Sequence, residues 1–337
     1  MKERLTIGLI KHPSPIGGPG TFQAYFEKIT RKRGHRVVYP EDKAQPDIVL
    51  VLPGTKKLKL LWNYKRKGAK IVHRLGGINW RHRIEECSLR IKVAAALRNQ
   101  LVRLVRNHFA DHIIYQSHFV REWWVELEGE TFPNSVIHNG TDCSLFTPQT
   151  QVDQKNPVSL VVVEGSITGD RVTLAILRSL SERLMQKGQL NAIHVFGNMA
   201  YGKELLESVP RVSLHGTSPR TEIAKAYHSG SIFLSMDINA ACPNAVIEAM
   251  ASGLPVVGFD TGALSELVSP DAGALVPYGG NPWKGDIPDC ESLATAVLDV
   301  LKRREGMADA ARQKAKALFN IEDVVDRYLD VMKGLVS

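Results

Sequence analysis

At 337 residues, 44% apolar and 23% charged, the chain is long enough for two globular domains with separate cores and lacks the bias of disordered or fibrous sequences. No apolar run approaches the roughly 18 residues of a membrane-spanning helix, and Leu5–Ile10 is too short for a signal-peptide core before Lys11, His12 and Pro13, so a cytoplasmic protein is expected. The net charge of +8 is unevenly shared: residues 1–150 hold 25 Lys and Arg against 13 Asp and Glu, the remainder 18 against 22, so the first half faces an anionic bilayer, nucleic acid or phosphorylated substrate.

Short β-like runs alternate with helix-like runs throughout, the pattern of parallel sheets covered by helices. In the first half the strands read as Leu5–Ile10, Val37–Tyr39, Ile48–Leu52, Ile71–Arg74, Ile113–Tyr115 and Val136–Ile137. After the first of them a loop containing Gly17 and Gly18 opens onto a helix beginning near Phe22, where backbone can approach a ligand closely. Its spacing is not Gly-x-Gly-x-x-Gly, which argues against a dinucleotide fingerprint and leaves a plain turn as the alternative. Residues 56–67 interleave cations with Trp62 and Tyr64, and residues 90–106 form an amphipathic helix with arginines on its polar side. Both suit anionic lipid or a phosphate track, or else are outer helices with their apolar faces inward. His73 and Arg74 end the fourth strand and point toward a crevice, and Arg74, Trp80 and Trp123 are the candidates for holding an acceptor.

The polar, proline-bounded stretch 147–157 reads as a linker between domains 1–150 and 156–337. Beyond it the strands read as Leu160–Val163, Ile193–Phe196, Val212–Leu214, Ile232–Ser235, Val256–Phe259 and Leu275–Val276, followed by a helical tail from Glu291 to Val336. The expected fold is therefore α/β, two doubly wound Rossmann-like domains with an interdomain cleft at the carboxyl ends of the strands. Cys87, Cys143, Cys242 and Cys290 stand far apart, with no Cys-x-x-Cys pair and no clustered His, so neither a disulfide framework nor a metal site is expected.

Residues 242–266 carry the most chemistry. Pro243 suits the first position of a helix whose remaining first-turn amides, near Asn244 and Ala245, can receive a phosphate or sugar oxygen. Glu248 follows one turn later on the face of Asn244. Gly253 and Pro255 end the helix, Val256–Phe259 reads as a strand buried on both faces, and Glu266 lies on the next short helix.

In order and spacing this segment resembles the donor-binding signature of glycosyltransferase family 4 (glycosyl transferases group 1), retaining enzymes of GT-B architecture. The resemblance implies that Glu248 binds the ribose of a sugar nucleotide and that Gly262 and Glu266 form the following turn. The family's first Glu of this motif would stand at position 240, where this chain has Ala240. Gly17 and Gly18 match the family's Gly-Gly loop beside donor phosphate or acceptor. Gly165, Ser166 and Arg171 occupy the place of its Gly-Arg and Lys, cations that clasp the departing diphosphate, with Arg171 the one retained and a solvated helix start its plainer reading. Relatives carry a His or Asp near the place of His73. The last helix, around Val324–Leu335, is implied to cross back to the first domain.

The resemblance thus implies a metal-independent, cofactor-free transferase with a UDP- or GDP-type sugar nucleotide as co-substrate. Arg171, Glu248 and His73 are its catalytic candidates. The acceptor is a lipid-linked or surface-polysaccharide precursor met peripherally at an anionic membrane, or alternatively modified nucleic acid. A non-catalytic sugar-nucleotide binder is the rival from another class.

Overall fold

The computed structural model describes residues 4–13, 18–80, 89–130, 133–149 and 157–336. The chain divides into two compact units, Met1–Asn139 with Ile321–Ser337, and Gly140–Asn320.

In the first unit β1 (Thr6–Leu9), β2 (Arg36–Val38), β3 (Ile48–Val51), β4 (Lys70–Leu75), β5 (His112–Tyr115) and β6 (Asn134–Val136) form one sheet in the order β2-β1-β3-β4-β5-β6. Every neighbouring pair is parallel. Helices α1 (Gly18–Lys32), α2 (Leu58–Arg66), α3 (Leu89–Leu104) and α4 (His118–Glu128) flank it. The apolar run of β3 is explained by burial on both faces: Ile48 and Leu50 enter one core, Val49 and Val51 a second core beneath α2. Each such side chain contributes roughly 1.5–3 kcal/mol, which is why an all-apolar tetrapeptide settles here rather than at an edge.

In the second unit β7 (Val158–Thr168), β8 (Leu190–Tyr201), β9 (Val212–Gly216), β10 (Ile232–Ser235), β11 (Val256–Phe259) and β12 (Gly273–Val276) form a parallel sheet in the order β12-β11-β10-β7-β8-β9. Its helices are α5 (Arg171–Gln186), α6 (Lys203–Glu207), α7 (Arg220–Ser229), α8 (Asn244–Ala251), α9 (Leu264–Leu267), α10 (Cys290–Lys302) and α11 (Arg304–Leu318). The last helix, α12 (Ile321–Leu335), belongs to the first unit, where Ile321, Val324, Val325, Tyr328, Leu329 and Met332 form its buried stripe. Strand order reverses between β1 and β3, and between β7 and β10, so the carboxyl ends of the strands at these points leave room for a ligand.

Three features depart from the sequence expectation. The passage between units falls at Asn139 and Gly140 rather than within 147–157, most of which lies outside the described residues. The reason is Phe146, fully buried in the core of the second unit, with its carbonyl accepting from Arg312 Nη1 at 2.7 Å. A lone aromatic in a loop carries no periodicity to announce this. Strands β7 and β8 run to 11 and 12 residues, well past their apolar cores, and pair as a ribbon out to Thr168 and Tyr201.

Helix α3 is the third departure. Leu89, Ile91, Val93 and Leu97 are 76%, 56%, 50% and 63% exposed, while the buried positions are Ala95 and Asn99. Leu89, Val93 and Leu97 follow one another at four-residue steps and make an outward apolar stripe on the side away from Ala95 and Asn99. Asn99 anchors the helix by exchanging hydrogen bonds with the backbone of Asn79, at 3.2 and 2.9 Å.

Candidate functional site

Helix α8 starts one residue later than its proline suggests. Pro243 is the N-cap, with extended backbone (φ −72, ψ 117) and no side-chain cap, and Asn244 is the first helical residue. At the other end Gly253, with φ +73, donates to the Met250 carbonyl at 3.0 Å and Leu254 to that of Ala249 at 2.9 Å, the paired bonds that close a helix with an apolar follow-on. Asn244 and Ala245 are half-buried in the first turn, and Val246 through Ala251 are buried.

The carboxylate of Glu248, only 6% exposed, therefore sits one turn inside a helix that starts at the carboxyl end of β10. Its Oε1 is 2.8 Å from Arg220 Nη1, and its Oε2 accepts from the Tyr227 hydroxyl at 3.4 Å. Both partners come from α7, which starts after Pro219 at the carboxyl end of β9. Burial pushes the Glu248 carboxyl above the usual carboxylate range, opposed by the Arg220 charge and by hydrogen bonds from Arg220 and Tyr227. Burial, and then the neighbouring Glu248, push the Tyr227 phenol well above its ordinary range, so it donates rather than ionises. Arg220 is itself held: its guanidinium stands over the Phe146 ring at 5.0 Å, and Nη2 donates to Thr141 Oγ1 at 3.4 Å. A carboxylate offers about four acceptor directions, and two are used here, so Glu248 can still accept from ligand hydroxyls. Reasoning from sequence missed Arg220; its signal was a basic residue opening a helix just past a strand end.

The loops beside α8 are sewn together. Ala263 N donates to the Ala240 carbonyl at 2.9 Å, and Asn239 N to Thr261 Oγ1 at 3.3 Å. Gly262 adopts φ +62, and a Cβ there would come within 2.5 Å of the Ala240 backbone, so this position, three residues past the end of β11, has to be glycine. Ala240 is 4% exposed, and Glu266 is half-buried on α9.

The diphosphate-side candidates are more dispersed. Gly165 and Ser166 are exposed but lie within the extended β7 rather than in a loop. The turn into α5 comes later, at Gly169 and Asp170, and Asp170 caps the helix by accepting from Thr173 N at 2.8 Å. Arg171 is the exposed first residue of α5, and among the described residues no hydrogen bond or ion pair joins it to Glu248. The geometry brings together Glu248, Asn244 and Ala245 on α8 with Arg220, and leaves Arg171 at the ribbon end.

In the first unit, Gly18 is the first residue of α1, and Gly17 lies outside the described residues. His73 is fully buried in β4: its Nε2 engages the Pro53 carbonyl, and burial lowers its pKa to about 4. So enclosed, it acts on the Pro53 loop and does not reach a substrate. Arg74, 3% exposed, is likewise spent within the unit, its Nε donating to Tyr328 Oη at 3.1 Å, its Nη2 bonding Asn139 Oδ1, and its plane lying over Phe22 at 4.1 Å. Their burial corrects the expectation that both side chains project into a crevice. Trp80 and Trp123 are half-buried; the Trp123 ring packs on the backbone of Gly77, while Trp124 Nε1 donates to the Gly76 carbonyl at 2.9 Å. Among the described residues there is no His, Cys, Asp and Glu cluster able to hold a metal ion, and no helix is long and apolar enough to cross a membrane.

Comparison with known proteins places this site in context. Residues 165–303, which include α7, α8 and both sewn loops, match the family model described as Glycosyl transferases group 1. The sulfoquinovosyl transferase SQD2 of Arabidopsis thaliana is 26% identical over 189 residues, 53% of this chain and 36% of that protein, so the chain spans about a third of that relative's length. Among solved structures, sucrose-phosphate synthase from Thermosynechococcus elongatus superimposes with a TM-score of 0.76 at 16% identity, covering 98% of this chain and 99% of the other. HepE of Anabaena, determined in complex with UDP and glucose, does so with a TM-score of 0.69 at 15% identity, covering 98% and 100%. The two helix-flanked parallel sheets are thus those of the GT-B glycosyltransferases, and residues 165–303 form a glycosyl transferases group 1 domain.

Proposed function

We propose that the protein is a retaining, metal-independent glycosyltransferase of family 4 type that moves a sugar from a nucleotide diphosphate to an acceptor held by its basic first unit. The observation that carries this reading is Glu248, a carboxylate kept at the carboxyl edge of the second sheet inside the group 1 domain. Glu248 accepts the ribose hydroxyls, and the amides at the start of α8 meet the diphosphate. In the reaction the bond between the sugar's anomeric carbon and the diphosphate breaks, a bond to an acceptor hydroxyl oxygen forms as that hydroxyl gives up its proton to the departing diphosphate, and the charge developing on the diphosphate must be stabilised by cations. Arg171, exposed at the start of α5, serves as one of those cations. His73 contributes through the Pro53 loop. HepE's complex with UDP and glucose supports a nucleotide-sugar donor.

Calorimetry against a panel of UDP- and GDP-sugars is expected to find at least one ligand, with slow hydrolysis of it. Binding of none would end this reading. A second reading, a binder without turnover, is favoured by Ala240 and Ser166, which stand where the family carries charge; donor hydrolysis by the isolated chain excludes it.

For the acceptor we favour a lipid-linked precursor met at an anionic bilayer. On α3 Arg90, Lys92 and Arg98 are exposed, while Arg103 pairs with Glu128 and Arg106 is buried; three such cations suit either lipid or nucleic acid, but the outward stripe of Leu89, Val93 and Leu97 suits lipid alone. A phosphate track needs cations and gains little from exposed aliphatics, whereas a bilayer interface buries them at about 0.8 kcal/mol per methylene. The triple substitution of Leu89, Val93 and Leu97 by serine should reduce co-sedimentation with anionic vesicles about tenfold or more while leaving donor binding unchanged. Undiminished sedimentation of the triple variant, or tighter retention on duplex DNA than on vesicles, would remove the lipid reading.

A further inference from the structure

We propose that Arg220 is the positioning residue of the donor site, its guanidinium holding Glu248 as a carboxylate and aiming it for the ribose hydroxyls of the sugar nucleotide. The inference rests on the reading of Glu248 given above and adds a residue to that site. Its basis is geometric. Glu248 lies in a helix whose own first turn offers no cation, and the charge that meets it comes from a different helix, at 2.8 Å. That cation is fixed on further sides by the Phe146 ring at 5.0 Å and Thr141 Oγ1 at 3.4 Å, so it is built into the unit rather than waving at its surface. At 32% side-chain exposure against 8% for Glu248, the guanidinium is also the more open partner.

The chemistry explains why such a partner is needed. An acid buried this deeply favours its neutral form, which can offer only one lone-pair-rich oxygen and presents a proton where a ribose hydroxyl must donate. Arg220 opposes that preference, and the Tyr227 hydroxyl aids it with a hydrogen bond. Nearby charged groups do not substitute. Glu164 of β7 acts on Tyr227 and with the wrong sign, and Arg312 of α11 is occupied by the carbonyls of Cys143, Phe146 and Ala251. Arg171, which the sequence assigns to the diphosphate, makes no bond to Glu248 among the described residues.

The test is donor binding by calorimetry with UDP, UDP-glucose and GDP-mannose, using the full chain as wild type, Arg220→Gln and Arg220→Lys, from about pH 6 to about pH 9. Wild-type affinity should vary little over that range. Arg220→Gln should bind about ten- to a hundredfold more weakly at neutral pH and recover as pH rises, because without Arg220 the buried acid ionises only at higher pH. Arg220→Lys, which keeps the charge but not the fork, should stay within a few fold of wild type with a flat profile. A structural role alone would lower affinity equally at every pH, so a pH-independent loss in Arg220→Gln overturns the inference, as does wild-type affinity in that variant. Should Arg220→Gln fail to fold, Arg220→Lys decides: a loss of tenfold or more in the folded lysine variant also overturns it. If the wild type binds but Arg220→Gln shows no pH dependence, only this inference falls; if the wild type binds no sugar nucleotide at any pH, the donor reading falls with it.

Discussion

Glu248→Gln should abolish donor binding while leaving the protein folded. Glutamine fills the same volume and can still accept from the Tyr227 hydroxyl, so the packing around α8 survives. It loses the charge that meets Arg220 at 2.8 Å and turns an amide N–H₂ toward either the guanidinium or the ribose. A charge-assisted hydrogen bond contributes about 1.5–3 kcal/mol, and two ribose hydroxyls are at stake, so the affinity for the preferred sugar nucleotide should fall roughly a hundredfold or more. Calorimetry alongside circular dichroism reads both halves of the expectation. A folded variant that binds its donor within about threefold of wild type would show that Glu248 is only a structural ion-pair partner.

Gly262→Val should damage stability and donor binding together. The residue sits at φ +62, where a β-branched side chain is strained whatever the space, and an added Cβ would lie 2.5 Å from both the amide nitrogen and the carbonyl oxygen of Ala240. Backbone cannot yield as a flexible side chain would, so the loops tied by Ala263 to Ala240 and by Asn239 to Thr261 must part. The expected cost is about 3 kcal/mol or more, a fall in melting temperature of roughly 6–12 °C for a unit of this size. Because the displaced Ala240 loop leads directly into α8, donor affinity should fall with it. An unchanged melting temperature in a scanning calorimeter would refute this account.

The twelve strands were legible because parallel strands covered on both faces must be apolar, and such runs as Ile48–Val51 and Val256–Phe259 have no rival interpretation at that length. The outer parts of β7 and β8 were not, since of Ser166 to Thr168 and Asn198 to Tyr201 only Ile167 is buried, and one apolar residue among exposed neighbours leaves no periodic trace. Glu248 could be found because its helix announces itself at both ends, with Pro243 before and Gly253 after. The role of Arg220 depends on a contact 28 residues away along the chain, which neither propensity nor local spacing encodes. Burial misled at His73 and Arg74 for the same reason: a polar pair at a strand end reads as an open crevice unless one knows that Tyr328, Asn139 and Pro53 close over it. At α3 Arg90 and Arg98 are outward as read, but Arg103 pairs with Glu128 and Arg106, just past the helix, is buried over Trp124, while Leu89, Val93 and Leu97 face outward because the inward side is supplied by the small Ala95 and by Asn99.

The β7–β8 ribbon has a mechanical consequence. Strand β10 pairs β7 only at Leu160 and Val161, and β9 pairs β8 only from Ile193 to Phe196, so past these points no described strand flanks the ribbon, and it is seated instead by Ile167, 3% exposed in the core, with Met199 packed against the same cluster. A two-stranded strip pinned by a buried side chain close to its end keeps its direction although neither outer edge is paired. Arg171 is mounted just past its tip, beyond the tight crossing where Gly169 and Gly202 touch backbone to backbone. Helix α5, which begins with that arginine, buries Ile176, Leu177 and Leu180 in the same core as Ile167, so the cation stands on a braced outrigger whose place is set by the interior of the second unit.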